Sequence, residues 1–137
     1  MRRSTIRQAH GRTGEAVAAR YLDRLGWQVL ARQVRIGRDE VDVLAVDPGP
    51  PANLVVVEVR SRTSSRFGPP EASVDQAKVM HCYRAVGALR RAGRLPDGTR
   101  LADLPWRVDL VAVDLDPALA ADLGGPRICH LRGVLPP

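Results

Sequence analysis

The chain has 137 residues, 45% apolar and 26% charged, the size and balance of one globular domain able to hold itself without a disulfide or metal staple. These values exclude a disordered chain, a collagen-like chain and a disulfide scaffold, and no run approaches the roughly 18 apolar residues of a membrane span. Twenty-one basic residues against 15 acidic give a net charge of +6, which favours polyanionic partners such as nucleic acid; the competing reading is a plain arginine bias, because Lys78 is the only lysine.

The basic N-terminus lacks the apolar core of a secretory signal, so a cytoplasmic protein with no membrane partner is expected. Residues 1–12, with Arg2, Arg3, Arg7 and Arg12, read as a basic arm or a helix extension. From Glu15 to Leu25 the pattern is helical: Ala18, Ala19 and Leu22 follow Glu15 on one face, and Gly26 suits the helix end. Trp27 to Arg35 alternates as a strand, and Glu40 to Val46 gives a second. Asp47 to Asn53 is a turn-rich loop, and Leu54 to Arg60 is a third strand, apolar enough to be central.

Arg60 to Pro70 is expected to be a polar loop. Ser73-Val74-Asp75-Gln76 has capping-box form, with Ser73 as N-cap and Gln76 three residues on, opening a helix that runs to Arg91 with Gly93 beyond it. Arg94 to Pro105 reads as a loop and Arg107 to Val113 as a fourth strand, so that strand, helix and strand form a right-handed parallel crossover. Residues 117–137 supply a connector and a short edge strand, Ile128 to Leu131. The expected architecture is a single α/β domain over 1–137, ordered α-β-β-β-α-β with one more strand. Cys82 and Cys129 have no metal-ligand spacing and read as buried thiols.

Acids inside apolar strands need a cation or hydrogen bonds to stay there. Asp42 lies between Val41 and Val43, and Glu58 between Val57 and Val59. If the second and third strands form a hairpin symmetric about Pro50, residues whose numbers sum to 100 face each other, and 42 and 58 do. Directly opposed Cβ atoms lie ~5 Å apart, so the two carboxylates repel unless something positive sits between them. A divalent metal is the natural filler: Mg²⁺ takes one or two carboxylates with water and phosphate oxygens. The structural alternatives are that Asp42 accepts hydrogen bonds from a nearby loop, that Glu58 pairs with Arg60, which shares its side of the strand, or with another arginine, and that Glu15 acts as a helix-dipole partner. Arg107 and Asp109 read as a structural pair.

Asp42…Glu58-Val59-Arg60 resembles the D…(D/E)-x-K signature of the PD-(D/E)xK nuclease superfamily. The order Gly14-Glu15, Tyr21-Leu22, Gly26-Trp27, Glu40-Val41-Asp42, Glu58-Val59-Arg60, Phe67-Gly68, Lys78 and Arg107-Val108-Asp109 resembles the YraN-type family of small bacterial proteins, relatives of Holliday junction resolvases. The resemblance implies a restriction-endonuclease-like αβββαβ core with a mixed central sheet flanked by helices. It implies a Mg²⁺- or Mn²⁺-dependent, structure-selective DNA endonuclease acting on branched or junction DNA, as a homodimer where two strands are cut. Asp42 and Glu58 would hold the metal with the Val59 carbonyl, and Glu15 would bind it through water.

The signature lysine position holds Arg60, which cannot give up a proton near neutral pH; Lys78 in the following helix is a candidate replacement. Gln76 either orients water or completes the capping box. Arg12, Arg62 and Arg66 would contact phosphates, giving affinity without base readout. The alternative reading is a catalytically weak nuclease-fold accessory protein that binds nucleic acid, and a third is a basic protein on ribosomal RNA.

Overall fold

The computed structural model describes residues 3–63, 74–117, 121 and 124–137, with side chains from Arg12 onward. Its elements are α1 (Arg3–Arg24), β1 (Gln28–Ile36), β2 (Asp39–Asp47), β3 (Asn53–Arg62), α2 (Gln76–Ala92), β4 (Trp106–Asp114) and β5 (Arg127–Leu131). The five strands form one sheet in the order β1-β2-β3-β4-β5. β3 pairs parallel with β4 and every other neighbour is antiparallel, so the sheet is mixed and the expected αβββαβ core with one added strand is present.

The Leu54-to-Val57 run of β3 is buried on both faces, as its β-branched composition requires of a central strand. On one face, Val43, Val55, Val57 and Val111 pack against Ala18 and Leu22 of α1. On the other, Leu44, Val56 and Val108 pack against Cys82, Ala85 and Leu89 of α2. Each fully buried Leu or Val contributes ~1.5–3 kcal/mol of transfer free energy. Neither cysteine is in a disulfide; Cys82 is buried and Cys129 only half-buried. Among the described residues no helix is long and apolar enough to cross a membrane.

Of the two readings of the N-terminal basic segment, the helix extension is the one present: α1 begins at Arg3. Two boundaries depart from the sequence reading. β3 continues through Arg62, because the parallel ladder with β4 extends to Arg60↔Ala112, Ser61↔Val113 and Arg62↔Asp114; Arg60 and Arg62 are strand residues, not loop residues. The N-cap of α2 is Asp75, whose carboxylate accepts from the Ala77 and Lys78 amides at 3.0 and 3.4 Å. An acid there satisfies two orphan donors and complements the helix dipole at once. Gln76 is therefore the first helical residue and exposed, not the far corner of a capping box; Ser73 lies outside the described residues. At the other end Gly93, at φ +64°, donates its N–H to the Leu89 carbonyl, the expected glycine stop.

The Arg107–Asp109 pair is structural and larger than expected. Asp109 is fully buried and accepts from Arg107 Nε at 2.8 Å, Arg107 Nη2 at 3.0 Å and Gly133 N at 3.0 Å, while His130 Nε2 lies at 2.8 Å. Tyr21 of α1 closes the chain with its hydroxyl 2.8 Å from His130 Nδ1, and Arg107 also reaches Asp47 at 3.0 Å. One carboxylate thus joins β4 to β5 and, through its partners, to α1 and β2.

Candidate functional site

The β2–β3 ladder runs from Val43↔Val57 to Asp47↔Asn53, every pair summing to 100. Asp42 and Glu58 are the next residues on the two strands, just past the last of these pairs. Val59 N–H finds its acceptor in the Asp42 side chain, at 2.8 Å from Oδ2. That bond replaces the loop contact considered for Asp42 and fixes the orientation of its carboxylate.

A second irregularity faces Asp42 from β1. The ladder there pairs Val34↔Val41 and Arg32↔Val43, which leaves Gln33 across from Asp42. Gln33 has φ +52°, the one positive φ outside glycine among the described residues. The left-handed region costs an ordinary L-residue ~1–2 kcal/mol and persists where the surroundings demand it. Here the kink breaks the alternation of β2: Val41 packs on the α2 face and Val43, two residues on, packs on the α1 face.

Glu15 comes to this place from α1. Gly14 lets the helix approach β3 so closely that a Cβ on it would lie 2.7 Å from Ser61 Cβ. Glu15 is buried, and its Oε1 has no hydrogen-bond partner among the described residues. Burial, then the Asp42 charge, push its carboxyl above the usual range, while the Gln33 side chain and Arg32 act the other way.

Glu58 sits deeper. Burial, then the neighbouring Asp42 carboxylate, push it up to about 8, opposed by Lys78. Asp42 is also raised, by burial, against the stabilising Val59 N–H. Both carboxyls are raised, so the cleft resists carrying two negative charges side by side. Lys78 Nζ lies 3.8 Å from Glu58 Oε1, and Cys82 Sγ lies 3.9 Å from Oε2. Asp42, Glu58 and Lys78 line one cavity of about 240 Å³ between the β1–β2 turn and α2.

The remaining expected site residues are elsewhere or differently engaged. Arg60 does not pair with Glu58: its Nη1 is 3.7 Å from Asp75 Oδ2, and that nitrogen is buried with no hydrogen bond among the described residues. Arg62 sends Nε and Nη2 to Asp114, each at 3.3 Å, and Asp114 is fully buried; its guanidinium is committed to the fold, which argues against a phosphate contact. Arg12 is exposed on α1 and Gln76 is exposed at the start of α2. Arg66 lies outside the described residues. The sequence reading missed Gln33, Arg38 and His81. His81 had a signal, three residues after Lys78 on the same helix face; Gln33 had none, since only the β1–β2 register places it across from Asp42.

Among the described residues no three of His, Cys, Asp and Glu converge to enclose a metal. The donor set is two hard carboxylates side by side, with a third, Glu15, buried and one oxygen short of a partner. Mg²⁺ is commonly held by one or two carboxylates, with water and phosphate completing its shell. The residues present fit that cation, or Mn²⁺.

Relief of the β1 kink makes a direct test. Gln33→Gly is expected to keep or raise the thermal midpoint, and Gln33→Val, β-branched in the left-handed region, to cost about 1–2 kcal/mol. The reverse order in thermal unfolding would mean that the Gln33 side chain, not its backbone, decides stability there.

An open mixed sheet with two helices in αβββαβ order, and an acid pair just past the end of its β2–β3 ladder, defines a mixed α/β protein of the restriction-endonuclease-like architecture. The family model described as "Uncharacterised protein family UPF0102" matches residues 14–113, the span holding Glu15, Asp42, Glu58 and Lys78. The chain belongs to that family, which is the YraN-type family that its motif order resembles. It is 39% identical over 138 residues to a UPF0102 protein of Solibacter usitatus (strain Ellin6076), covering 97% of this chain and 90% of the relative. It is 38% identical over 124 residues to one of Arthrobacter sp. (strain FB24), covering 90% and 93%. A UPF0102 protein of Bacteroides thetaiotaomicron is 30% identical over 122 residues, covering 89% and 88%.

Proposed function

We propose that this protein is a Mg²⁺- or Mn²⁺-dependent endonuclease that hydrolyses phosphodiester bonds in branched or junction DNA. The observation that carries the reading is the Asp42–Glu58 pair: two carboxylates adjoining on neighbouring strands, one of them raised to about 8, beside a lysine at 3.8 Å. A fold gains nothing by crowding two acids into a half-dry cleft, so a cation-binding role is the economical account.

Asp42 and Glu58 would hold the cation, with the Val59 carbonyl as a further ligand and Glu15 acting through water. Bound there, the cation would lower the pKa of a bound water and neutralise charge on the phosphate. Asp42 is pre-oriented for this by Val59 N–H. Lys78 supplies the ammonium at the acid pair, so its placement supports the signature-lysine role for Lys78. Arg60 keeps a buried Nη1 without a hydrogen bond, a donor suited to a phosphate oxygen. Cutting both strands of a junction calls for two copies of the chain.

The second reading, a nuclease-fold accessory protein that binds nucleic acid without useful catalysis, is favoured by one observation: the signature position is an arginine turned to Asp75. Cleavage of linear, flapped and four-way DNA with Mg²⁺, Mn²⁺ or EDTA decides between them. Metal-dependent products support the nuclease; binding without products on any of these DNAs supports the accessory protein.

The cation assignment is tested by single-turnover rates. Lys78→Ala is expected to slow cleavage by about 10²–10³-fold, the scale of losing one preorganised electrostatic group. Arg60→Lys is expected to change the rate by less than about tenfold, since its partner is Asp75 and not the acid pair. Loss of cleavage in Arg60→Ala with Lys78→Ala unaffected would reverse the two roles.

A further inference from the structure

The cavity beside the acid pair has a second wall that the nuclease signature does not use. Arg38 from the β1–β2 turn and His81 from α2 line it together with Asp42, Glu58 and Lys78. His81 lies three residues beyond Lys78, on the same face of α2. Among the described residues neither Arg38 nor His81 has an ion pair or a side-chain hydrogen bond, and both are exposed.

Asp39 is an acid that feels both, its carboxyl lowered first by its bond to Arg84 and only then by Arg84, His81 and Arg38 as charges. Asp39 is spoken for: Arg84 Nε and Nη2 meet its two oxygens at 2.7 and 2.5 Å. This bidentate pair ties the β1–β2 turn to α2 and holds the two walls of the cavity at a set separation. Glu40, the next acid, lies 3.7 Å from the exposed Arg35. The turn and α2 therefore present an arginine fork and an imidazole N–H donor, both uncommitted, across a cavity whose other end is the acid pair.

We propose that Arg38 and His81 form a second phosphate subsite, which receives the phosphodiester adjacent to the one placed at Asp42 and Glu58. The assignment rests on the nuclease reading for the identity of the strand. Its ligand chemistry is one phosphodiester of a DNA backbone, bound by the Arg38 fork and by an imidazole that donates in either protonation state. The subsite carries no base information, in keeping with a protein that selects shape over sequence.

The test is equilibrium binding of the full chain to a fluorescent four-way DNA in EDTA, over a salt series. Each lost phosphate contact lowers the slope of log affinity against log salt by roughly 0.9 on duplex DNA. Arg38→Ala is expected to lower the slope by about that amount and Arg38→Lys to retain it. His81→Ala is expected to weaken binding, with the double variant weaker than either. Arg90→Ala, the same loss of charge at the far end of α2, is the control and is expected to leave the slope unchanged. Thermal midpoints check that each variant is folded.

A slope lowered in Arg38→Ala but not in Arg90→Ala supports the subsite whether or not the wild type cuts. Equal slopes in wild type and Arg38→Ala, with wild type cutting DNA, overturn the subsite and leave the nuclease reading standing. A wild type that does not bind DNA overturns both.

Discussion

Asp42→Ala and Glu58→Ala are each expected to reduce single-turnover DNA cleavage by about 10²–10³-fold or more, the scale of removing a preorganised electrostatic element. If the pair holds the cation, Mg²⁺ or Mn²⁺ is expected to raise the wild-type thermal midpoint by mass action on the folded state, and each alanine variant to lack that rise. The physical ground is the adjacency of two raised carboxyls: burial pushes Asp42 up, and burial, then the Asp42 charge, push Glu58 up to about 8. Glu58→Gln sharpens the test. It keeps the shape of the side chain and prevents a second negative charge from forming beside Asp42, so in EDTA its thermal midpoint is expected to equal or exceed that of the wild type. Activity lost together with stability kept is the signature of a residue retained for function. A wild-type midpoint indifferent to millimolar Mg²⁺ and Mn²⁺, with cleavage unchanged in both alanine variants, would remove the acid pair from the mechanism.

Asp109→Ala is expected to be the most destabilising single change, by ~3–5 kcal/mol, because it leaves the Arg107 charge half-buried with Asp47 as its remaining partner and strips His130 of its acceptor. Burial pushes the Asp109 carboxyl up, but the His130, Arg107 and Gly133 hydrogen bonds outweigh it and hold the group below its usual 3.8. An acid depressed in the folded state binds its proton more weakly there than in the unfolded chain. Its contribution is therefore complete above about pH 4 and is lost as the pH falls through the lower, folded value. Urea unfolding over an acidic pH series is expected to show this loss in the wild type and a flatter profile in Asp109→Asn. Identical profiles would place the acid sensitivity in another carboxylate.

The two sites differ in how far they could be read from the chain. The Asp42–Glu58 adjacency followed from arithmetic: the period of two along each strand and a loop centred on Pro50 make residues summing to 100 neighbours, and the ladder keeps that register. The Arg107–Asp109 pair followed likewise, since i and i+2 share one face of a strand. His130 and Tyr21 were not legible as its partners, because they lie on β5 and α1, 21 and 88 residues away in a chain whose spacing does not record that approach.

Hydrophobic periodicity, turn residues and helix stops are local properties, and they determined the element order, the central place of β3, the parallel crossover and the glycine end of α2. Which cation meets which acid is a matter of distance across layers, and only the tertiary structure decided it. Lys78 reaches Glu58 because α2 crosses the β3 end. Arg60, two residues from Glu58 on the same strand, turns instead to the Asp75 cap of that helix, and Arg62 turns to the buried Asp114. The kink at Gln33 and the Arg84–Asp39 tie that sets the cleft walls arise the same way, from the seating of one element against another. A charged side chain is long and flexible enough to choose among several partners, and the choice falls to whichever one the packed helices and sheet bring within about 4 Å.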